Sequence, residues 1–591
     1  MIAIPSTNTT WPSREASAWF TAACLGGFAL VVAVLIAMPG RTVTAIYPED
    51  VLLFVDAAYR TAEGQVHHMA YHAPFGVLAS WLPFLGLITS GSTGGALPAA
   101  VALFIIFLTP PLLYVVTTRL PVIVSILLGV YILLLVGAPL CVGDLPSRIT
   151  LAMWYNRFCQ GLLILQLCLY LSPSARTRWH TVVDGVLAGI LCAVMLYLKI
   201  TYGLVSLAAI VLWSLCGRTQ RASALLALGC VAAVATGLEV AIPGIHVAYA
   251  HDVHFAMTAS AGLFGGIAAP LKAALNHANE VALGALALGL GFTACAVTTS
   301  DALFVAFVLA ASLVLFTQNT ADRSLPEVVL LPVLVAARLA EGAETKDRRL
   351  LTYVIPGLLV VFMAEPFVYR SLALYRHFSY ARVAPAPGDT AAALPGFVTL
   401  DYGMTLANSL GSERAVVAIN EPGLTTQEIF QIARSGFPDH GVSALKAAEY
   451  MYTINKGIET LSGIDRGDGT VLTFDFSNPF PFAMNLPSPR NSLLQYHYRR
   501  QFSEQAFIPS EVLFSDVSVV MIPTLPSGLT DRNKMISLYE EYLQRNFAIS
   551  QTTDYWVVWT RQLQVSRETK DEHERRFVGS APEAGNRNSR L

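Results

Sequence analysis

The chain has 591 residues, of which 54% are hydrophobic and only 13% charged, with a mean hydropathy of +0.54. Soluble domains carry about 25% charged residues, so this composition belongs to an integral membrane protein. A net charge of −2 supplies no basic footprint and excludes nucleic acid as a partner. In chain order, residues 18–38 are uncharged and preceded by Arg14. The run is too long for a signal-peptide core, so it predicts an uncleaved first span with a cytoplasmic N-terminus. Residues 47–76 follow directly and concentrate Glu49, Asp50, Asp56, His67, His68 and His72 beside the membrane. Ionisable groups there are costly unless water, a ligand or a partner charge stabilises them, so the stretch reads as a site. Its alternative is an amphipathic interfacial helix with solvated charges.

Further spans are predicted at 96–118, 121–142, 151–172, 182–198, 202–216, 222–243, 280–300, 302–317, 325–340 and 350–369. With 18–38 they make eleven crossings if the apolar stretch 74–90, bracketed by Pro74, Pro83 and Gly91, stays outside the count. That count puts Arg119, Arg176, Arg178, Arg218, Arg221, Lys346, Arg348 and Arg349 on the cytoplasmic side. It leaves the loops 39–95 and 244–279 and the C-terminal part outside. On that outer face gather Tyr155-Asn156-Arg157, Lys199, Gln318-Asn319, and the loop residues His246, His251, Asp252, His254 and Lys272. All eight cysteines fall in the membrane part without a Cys-x-x-Cys pair, so they read as small apolar packing residues.

Past residue 371 the chain resembles an ordinary soluble one. Residues 372–398 read as a linker, richest in Pro, Ala and Gly from 382. Short β-like runs at 416–419, 471–474, 517–522 and 555–559 alternate with helical patterns at 425–435, 443–461 and 531–546. This predicts a small α/β domain over 399–564 with a largely parallel sheet. The charged tail 565–591 predicts disorder. The expected fold is therefore a multi-pass α-helical membrane domain over 1–371 with about eleven spans, followed by a small C-terminal α/β domain.

Several stretches resemble C-type (GT-C) membrane glycosyltransferases. In that class an acidic pair follows the first span, then a short helix and a Gly-Gln…His…Pro-x-Gly run. Here these are Glu49-Asp50, Gly64-Gln65, His67 or His68, and Pro74-Phe75-Gly76. The segments Trp154-Tyr155-Asn156-Arg157 and Leu198-Lys199-Ile200-Thr201-Tyr202 are similar to segments of bacterial members. Phe474–Phe482, Ser515-Asp516-Val517 and Tyr555-Trp556 resemble the extracytoplasmic C-terminal module of related bacterial proteins. The resemblance implies a bacterial inner (plasma) membrane enzyme. Its partners are the membrane lipid, a polyprenyl-phosphate-linked sugar donor, and a glycan, lipid or protein acceptor outside the cytoplasm.

Such a transfer needs a carboxylate to deprotonate the incoming hydroxyl and cations to hold the departing phosphate. Asp50 or Glu49 is the expected base, Asp50 preferred as the second member of the pair, with Asp56 a further candidate. For Glu49 the alternative is a helix N-terminal charge after Pro48. Lys199 and Arg157 are the expected phosphate cations, the alternative for both being snorkelling to the interface. Asn156, His72, His251 and Asp252 complete the candidate substrate-binding set. The one candidate cofactor is a divalent metal ion, since His251-Asp252-x-His254 has the residue types of a metal site. The rival reading is a transporter or flippase of lipid-linked sugars, for which Asp184 and Glu239 lie in or near spans. A silent scaffold of the same fold is the third.

Overall fold

The computed structural model describes residues 14–171, 177–215, 218–260, 275, 278–293, 297–318, 324–341, 346–383, 394, 396–399, 447–524 and 526–562. The expected strand at 416–419, the expected helix at 425–435, Lys272, Asn319 and the tail 565–591 lie outside them. The protein is a multi-pass α-helical membrane protein with a small C-terminal α/β domain.

The described helices begin with α1 (Arg14–Ala37), α2 (Pro48–Ala62), α3 (Leu78–Ser90), α4 (Ala96–Arg119) and α5 (Val122–Gly137). They continue with α6 (Trp154–Cys168), α7 (Arg178–Leu198), α8 (Ile200–Ser214), α9 (Arg218–Ala241) and α10 (Ile245–Ala259). Beyond them lie Ala278–Thr293, Thr299–Gln318, Leu330–Glu341 and Lys346–Arg382. Each of the eleven expected spans has a described helix over most of its length, and six helices are long and apolar enough to cross a membrane. The helix α3 within 74–90 has 13 residues. At 1.5 Å per residue it is about 20 Å long, short of the ~30 Å hydrocarbon core.

Where helices stop early, the reason is local. The residue before Pro139, Ala138, is extended at φ −75° and ψ 134°, as a proline imposes on its predecessor, and α5 ends there. The central helix is α6, whose 15 residues are all buried. Close approach of α7 to α9 depends on Gly185 and Gly189: a Cβ at either would lie 2.7 Å from Ser223 O or 2.6 Å from Ala227 O.

Two expectations change. The loop 244–279 contains the helix α10, started by Gly244 at φ 85° and capped by Glu239, which accepts from Gly244 N at 2.6 Å. The segment 372–382 is helical and not linker, because the 37-residue helix Lys346–Arg382 runs on through it. At about 55 Å that helix outlasts a membrane and carries its last turns beyond it.

In the C-terminal domain, β3 (Thr470–Thr473), β4 (Val517–Pro523), β5 (Phe547–Thr552) and β6 (Trp556–Arg561) form a sheet of order β3-β4-β6-β5. Only β3 and β4 pair in parallel, while β4/β6 and β5/β6 are antiparallel. The expected largely parallel sheet fails because the sequence pattern does not announce β5. A three-residue turn at 553–555 joins β5 to β6, and so short a connection permits only an antiparallel pair.

The segment between α1 and α3 is joined to this domain. Short strands β1 (Thr42–Thr44) and β2 (Phe397–Thr399) pair in parallel. Asn491 N donates to Ala70 O at 2.7 Å, His72 N to Ser492 O at 2.9 Å and Leu494 N to His72 O at 2.8 Å. Arg60 is 1% exposed and donates through Nε to Asp56 at 2.9 Å and through Nη1 to Pro489 O at 2.6 Å. Regions so bonded lie on one side of the membrane.

This generates a stability prediction. Arg60→Met leaves Asp56 buried without its cation, a change worth about 3–5 kcal/mol. The thermal unfolding of the purified chain should shift down sharply, and less so for Asp56→Asn, which keeps an acceptor for Arg60. An unchanged transition in Arg60→Met would show that this pair does not hold the loop to the domain.

Candidate functional site

The helix α2 begins at Pro48, a residue suited to the first helical position, after Tyr47 at φ 54°. This places Glu49 and Asp50 in the first turn, where the helix dipole favours negative charge. Both are buried, Glu49 at 5% and Asp50 at 8% exposure. Among the described residues no hydrogen bond or ion pair reaches the Asp50 carboxylate. Burial pushes its carboxyl up to about 7, opposed by the field of Arg500 from the C-terminal domain. Glu49 faces the same domain, its charge acting on Tyr450, whose hydroxyl lies 3.1 Å from Ser477 Oγ.

One turn beyond Asp50, Phe54 meets the rings of Trp154 and Tyr155 at 5.3 Å and of Phe75 at 5.5 Å. Lys199 stands over the Tyr155 ring, with Nζ at 5.4 Å, and donates to Asn156 Oδ1 at 2.8 Å. It occupies the break between α7 and α8, extended at φ −152°. A cation there is favoured by the C-terminal end of the α7 dipole. Asp50 and Lys199 are thus connected through one aromatic floor, with no direct contact between them.

The Pro74-Phe75-Gly76 run docks on that break. Gly76 N donates to Leu198 O at 3.2 Å, satisfying a helix-end carbonyl. A Cβ at Gly76 would lie 2.2 Å from Tyr197 O, so only glycine allows the approach. Just upstream, Asp252 of α10 accepts from His68 Nδ1 and His72 Nδ1 at 2.8 Å each and from Ala73 N at 3.1 Å. Burial pushes the Asp252 carboxyl up, but the bonds from His68 and His72 outweigh it and hold it down at about 2. Asp252 is therefore an anchor and a poor base. Tyr249 stacks on His68 at 4.6 Å and donates to Leu196 O at 3.0 Å, tying α10 to the same end of α7.

The remaining candidates fall elsewhere. Asp56 is engaged by Arg60. Arg157 is buried and donates to Leu140 O at 2.8 Å, where it braces the α5–α6 connection. His251 is exposed, with Nδ1 3.6 Å from Asp252 Oδ1. Of the groups that kept a transport reading open, Asp184 is paired with Arg119 and accepts from Tyr114 Oη at 2.8 Å. Glu239 caps α10 and lies 2.6 Å from His246 Nδ1. Sequence reasoning misses Tyr249 and Arg500 and gives His68 no partner. The four-residue spacing of His68 and His72 is a visible sign of a shared acceptor, whereas nothing local marks Arg500.

No family model matches the chain, and no curated protein sequence matches it. Among solved structures the chain is similar to the crystal structure of ArnT from Cupriavidus metallidurans bound to undecaprenyl phosphate. The two share 14% identity over 93% of this chain and 99% of that one, with a TM-score of 0.42.

The close approach at Gly76 can be tested by substitution. Gly76→Ala should force the loop off the end of α7 and cost about 1–3 kcal/mol in thermal stability. Gly229→Ala, in α9 with nothing within 4 Å of its added Cβ, should be neutral or stabilising. Equal behaviour of the two variants would contradict the docking described.

Proposed function

We propose that the chain is an inverting membrane glycosyltransferase moving a sugar from a polyprenyl-phosphate donor to an acceptor outside the cytoplasm. The observation that supports it most is Asp50: a buried carboxylate without a hydrogen-bond partner among the described residues, tuned near neutrality. Such a group can take a proton at physiological pH. Asp50 accepts the proton of the acceptor hydroxyl as that oxygen attacks the anomeric carbon. The bond from that carbon to the phosphate oxygen breaks, its electron pair leaving with the lipid phosphate. Lys199 offsets the charge that develops there, with Asn156 holding its ammonium in place. Attack from the face opposite the phosphate inverts the anomeric configuration. Glu49 tunes Asp50 as its neighbour. The sequence resemblance to C-type glycosyltransferases agrees with this assignment, and Asp184 and Glu239, the groups that favoured transport, are engaged by Arg119 and His246.

The proposal includes the topology: a bacterial inner-membrane protein with eleven crossings, α3 riding outside the count, and the first loop and C-terminal domain extracytoplasmic. Single cysteines at Glu63 and Thr530, both exposed, should react with an impermeant thiol reagent in intact cells lacking native thiols in the protein. Protection of both sites would place this face in the cytoplasm.

For the base, Asp50→Asn keeps the shape and removes the proton acceptor. Transfer in reconstituted membranes should fall about 10²–10⁴-fold while donor still binds. The parent's kcat/KM should rise with pH and level off above about 7. The sign for stability is opposite. The folded-state value exceeds the ordinary 3.8, so the unfolded chain gives up this proton more readily, and stability falls as pH rises from 3.8 to about 7. Asp50→Asn should accordingly be at least as stable as the parent above neutrality. Full activity in this variant would overturn the assignment.

For the phosphate, Lys199→Ala should weaken donor binding by about tenfold to a hundredfold, since a charge-assisted contact is worth about 1.5–3 kcal/mol. Equilibrium binding of a polyprenyl-phosphate analogue measures it. Unchanged affinity would return Lys199 to a snorkelling role.

A further inference from the structure

Three side chains from α7, α9 and α10 are bonded in series. Tyr197 Oη lies 2.7 Å from His246 Nε2, and His246 Nδ1 lies 2.6 Å from Glu239 Oε2. A carboxylate only accepts, so Nδ1 carries its hydrogen and Nε2 of the neutral ring accepts from the Tyr197 hydroxyl. The far end of the series is fixed by the turn from α9 to α10. There Glu239 accepts from Gly244 N at 2.6 Å and from His246 N at 3.3 Å. Among the described residues the Tyr197 hydroxyl has no other hydrogen-bond partner, since its ring packs with Val77 and Ile245 against Leu78, Trp81 and Leu238. A buried hydroxyl left without an acceptor is costly, so this bond holds the side chain in one direction.

The constraint falls on the turn that presents Lys199. Three of the last carbonyls of α7 have partners. Met195 O accepts from Lys199 N at 2.9 Å, Leu196 O from Tyr249 Oη at 3.0 Å, and Leu198 O from Gly76 N at 3.2 Å. His246 and Tyr249 stand three residues apart and so share a face of α10. That face grips α7 at two successive residues, Leu196 through its carbonyl and Tyr197 through its hydroxyl. Lys199 follows two residues on, with its own carbonyl accepting from Tyr202 N at 3.1 Å. The direction in which its side chain leaves for Asn156 Oδ1, 2.8 Å from Nζ, is therefore set by how the last turn of α7 is held.

We propose that Glu239, His246 and Tyr197 form a hydrogen-bonded relay that positions Lys199 for the departing phosphate, with His246 as the positioning residue. The inference rests on the reading of Lys199 as the phosphate cation. Glu239 orients the imidazole, His246 holds the Tyr197 hydroxyl, and Tyr197 fixes the end of α7. The effect of all three reaches the donor through Lys199 alone.

The test compares His246→Ala, Tyr197→Phe and Val247→Ala, the last at a 76% exposed neighbour on α10, in the full-length chain reconstituted in lipid. Affinity for a polyprenyl-phosphate analogue should fall about threefold to tenfold in His246→Ala and in Tyr197→Phe, the range that one neutral hydrogen bond supplies. It should stay at the parental level in Val247→Ala. His246→Gln, whose amide oxygen can accept from Tyr197, should recover most of the loss. Because the effect acts through Lys199, it should vanish in a Lys199→Ala background. The placement of Lys199 is also read without donor, by the rate at which an amine reagent modifies it, followed by peptide mass spectrometry. That rate should rise in His246→Ala and Tyr197→Phe and not in Val247→Ala. If His246→Ala fails to fold, Tyr197→Phe, which keeps the ring in place, decides alone. A parent that binds no polyprenyl phosphate would refute the donor reading, and the labelling then decides whether the relay positions Lys199. Parental affinity and labelling in the relay variants would overturn the proposal. So would a loss of affinity that is the same with and without Lys199, since His246 would then act on the fold and not through the lysine.

Discussion

The structure around the candidate site depends on one segment, residues 65–76, being bound along both edges. On one edge its backbone bonds to residues 488–494 of the C-terminal domain, through Asn491 to Ala70 and through the paired bonds of His72 with Ser492 and Leu494. On the other, Asp252 gathers His68, His72 and the Ala73 amide, and Gly76 closes on Leu198. Segments without regular structure leave backbone polar groups that must find partners when buried. Here the partners come from α7, α10 and the sheet domain, so membrane helices and soluble domain become one assembly through this strip. Release of either edge would expose those groups and leave Lys199 and Asp50 without a common frame.

Four aspartates show how environment separates roles in one residue type. Burial raises the carboxyl of each of Asp50, Asp56, Asp252 and Asp475, and their neighbours set the role of each. Asp56 has Arg60 at hydrogen-bond distance and is a fastening. Two histidines pull Asp252 below the usual range and make it an anchor. The amide and hydroxyl of Ser527 and the amide of Phe476 satisfy Asp475, which fixes a turn of the C-terminal domain and stays near 6. Only Asp50 of the four combines burial with a carboxylate that no described residue bonds, and burial pushes it up to about 7. A group so placed costs stability, which is the ordinary condition of a functional residue.

Much of this architecture is legible in the order of the residues. Long apolar runs cannot be satisfied in water and must become helices in lipid, so composition alone leads to a multi-pass helical membrane protein. Pro48 followed by two carboxylates marks the start of α2, and β-branched runs mark β3 and β4. These features are local: each is decided by residues within a turn or two of one another. The failures are equally local in origin. Mixed small, apolar and histidine residues hide α10, and the polar outer face of β5 hides a strand whose pairing then reverses the expected sheet.

The sequence by itself determined that the chain spans a membrane, where most of its long apolar helices lie and which carboxylates begin α2, because hydropathy and helix-start chemistry act over neighbouring residues. Only the tertiary structure decided which of the candidates share a site. His68 and Asp252 are 184 residues apart, and Arg60 reaches a carbonyl 429 residues away. No spacing rule connects such positions, since their meeting depends on how helices cross and on whether a glycine lets two backbones touch. The difference between Asp50 and Asp56, six residues apart on one helix, belongs to that second kind. Both are acidic residues in an apolar stretch, and only the fold supplies an arginine to one and leaves the other's carboxylate without a bonded partner.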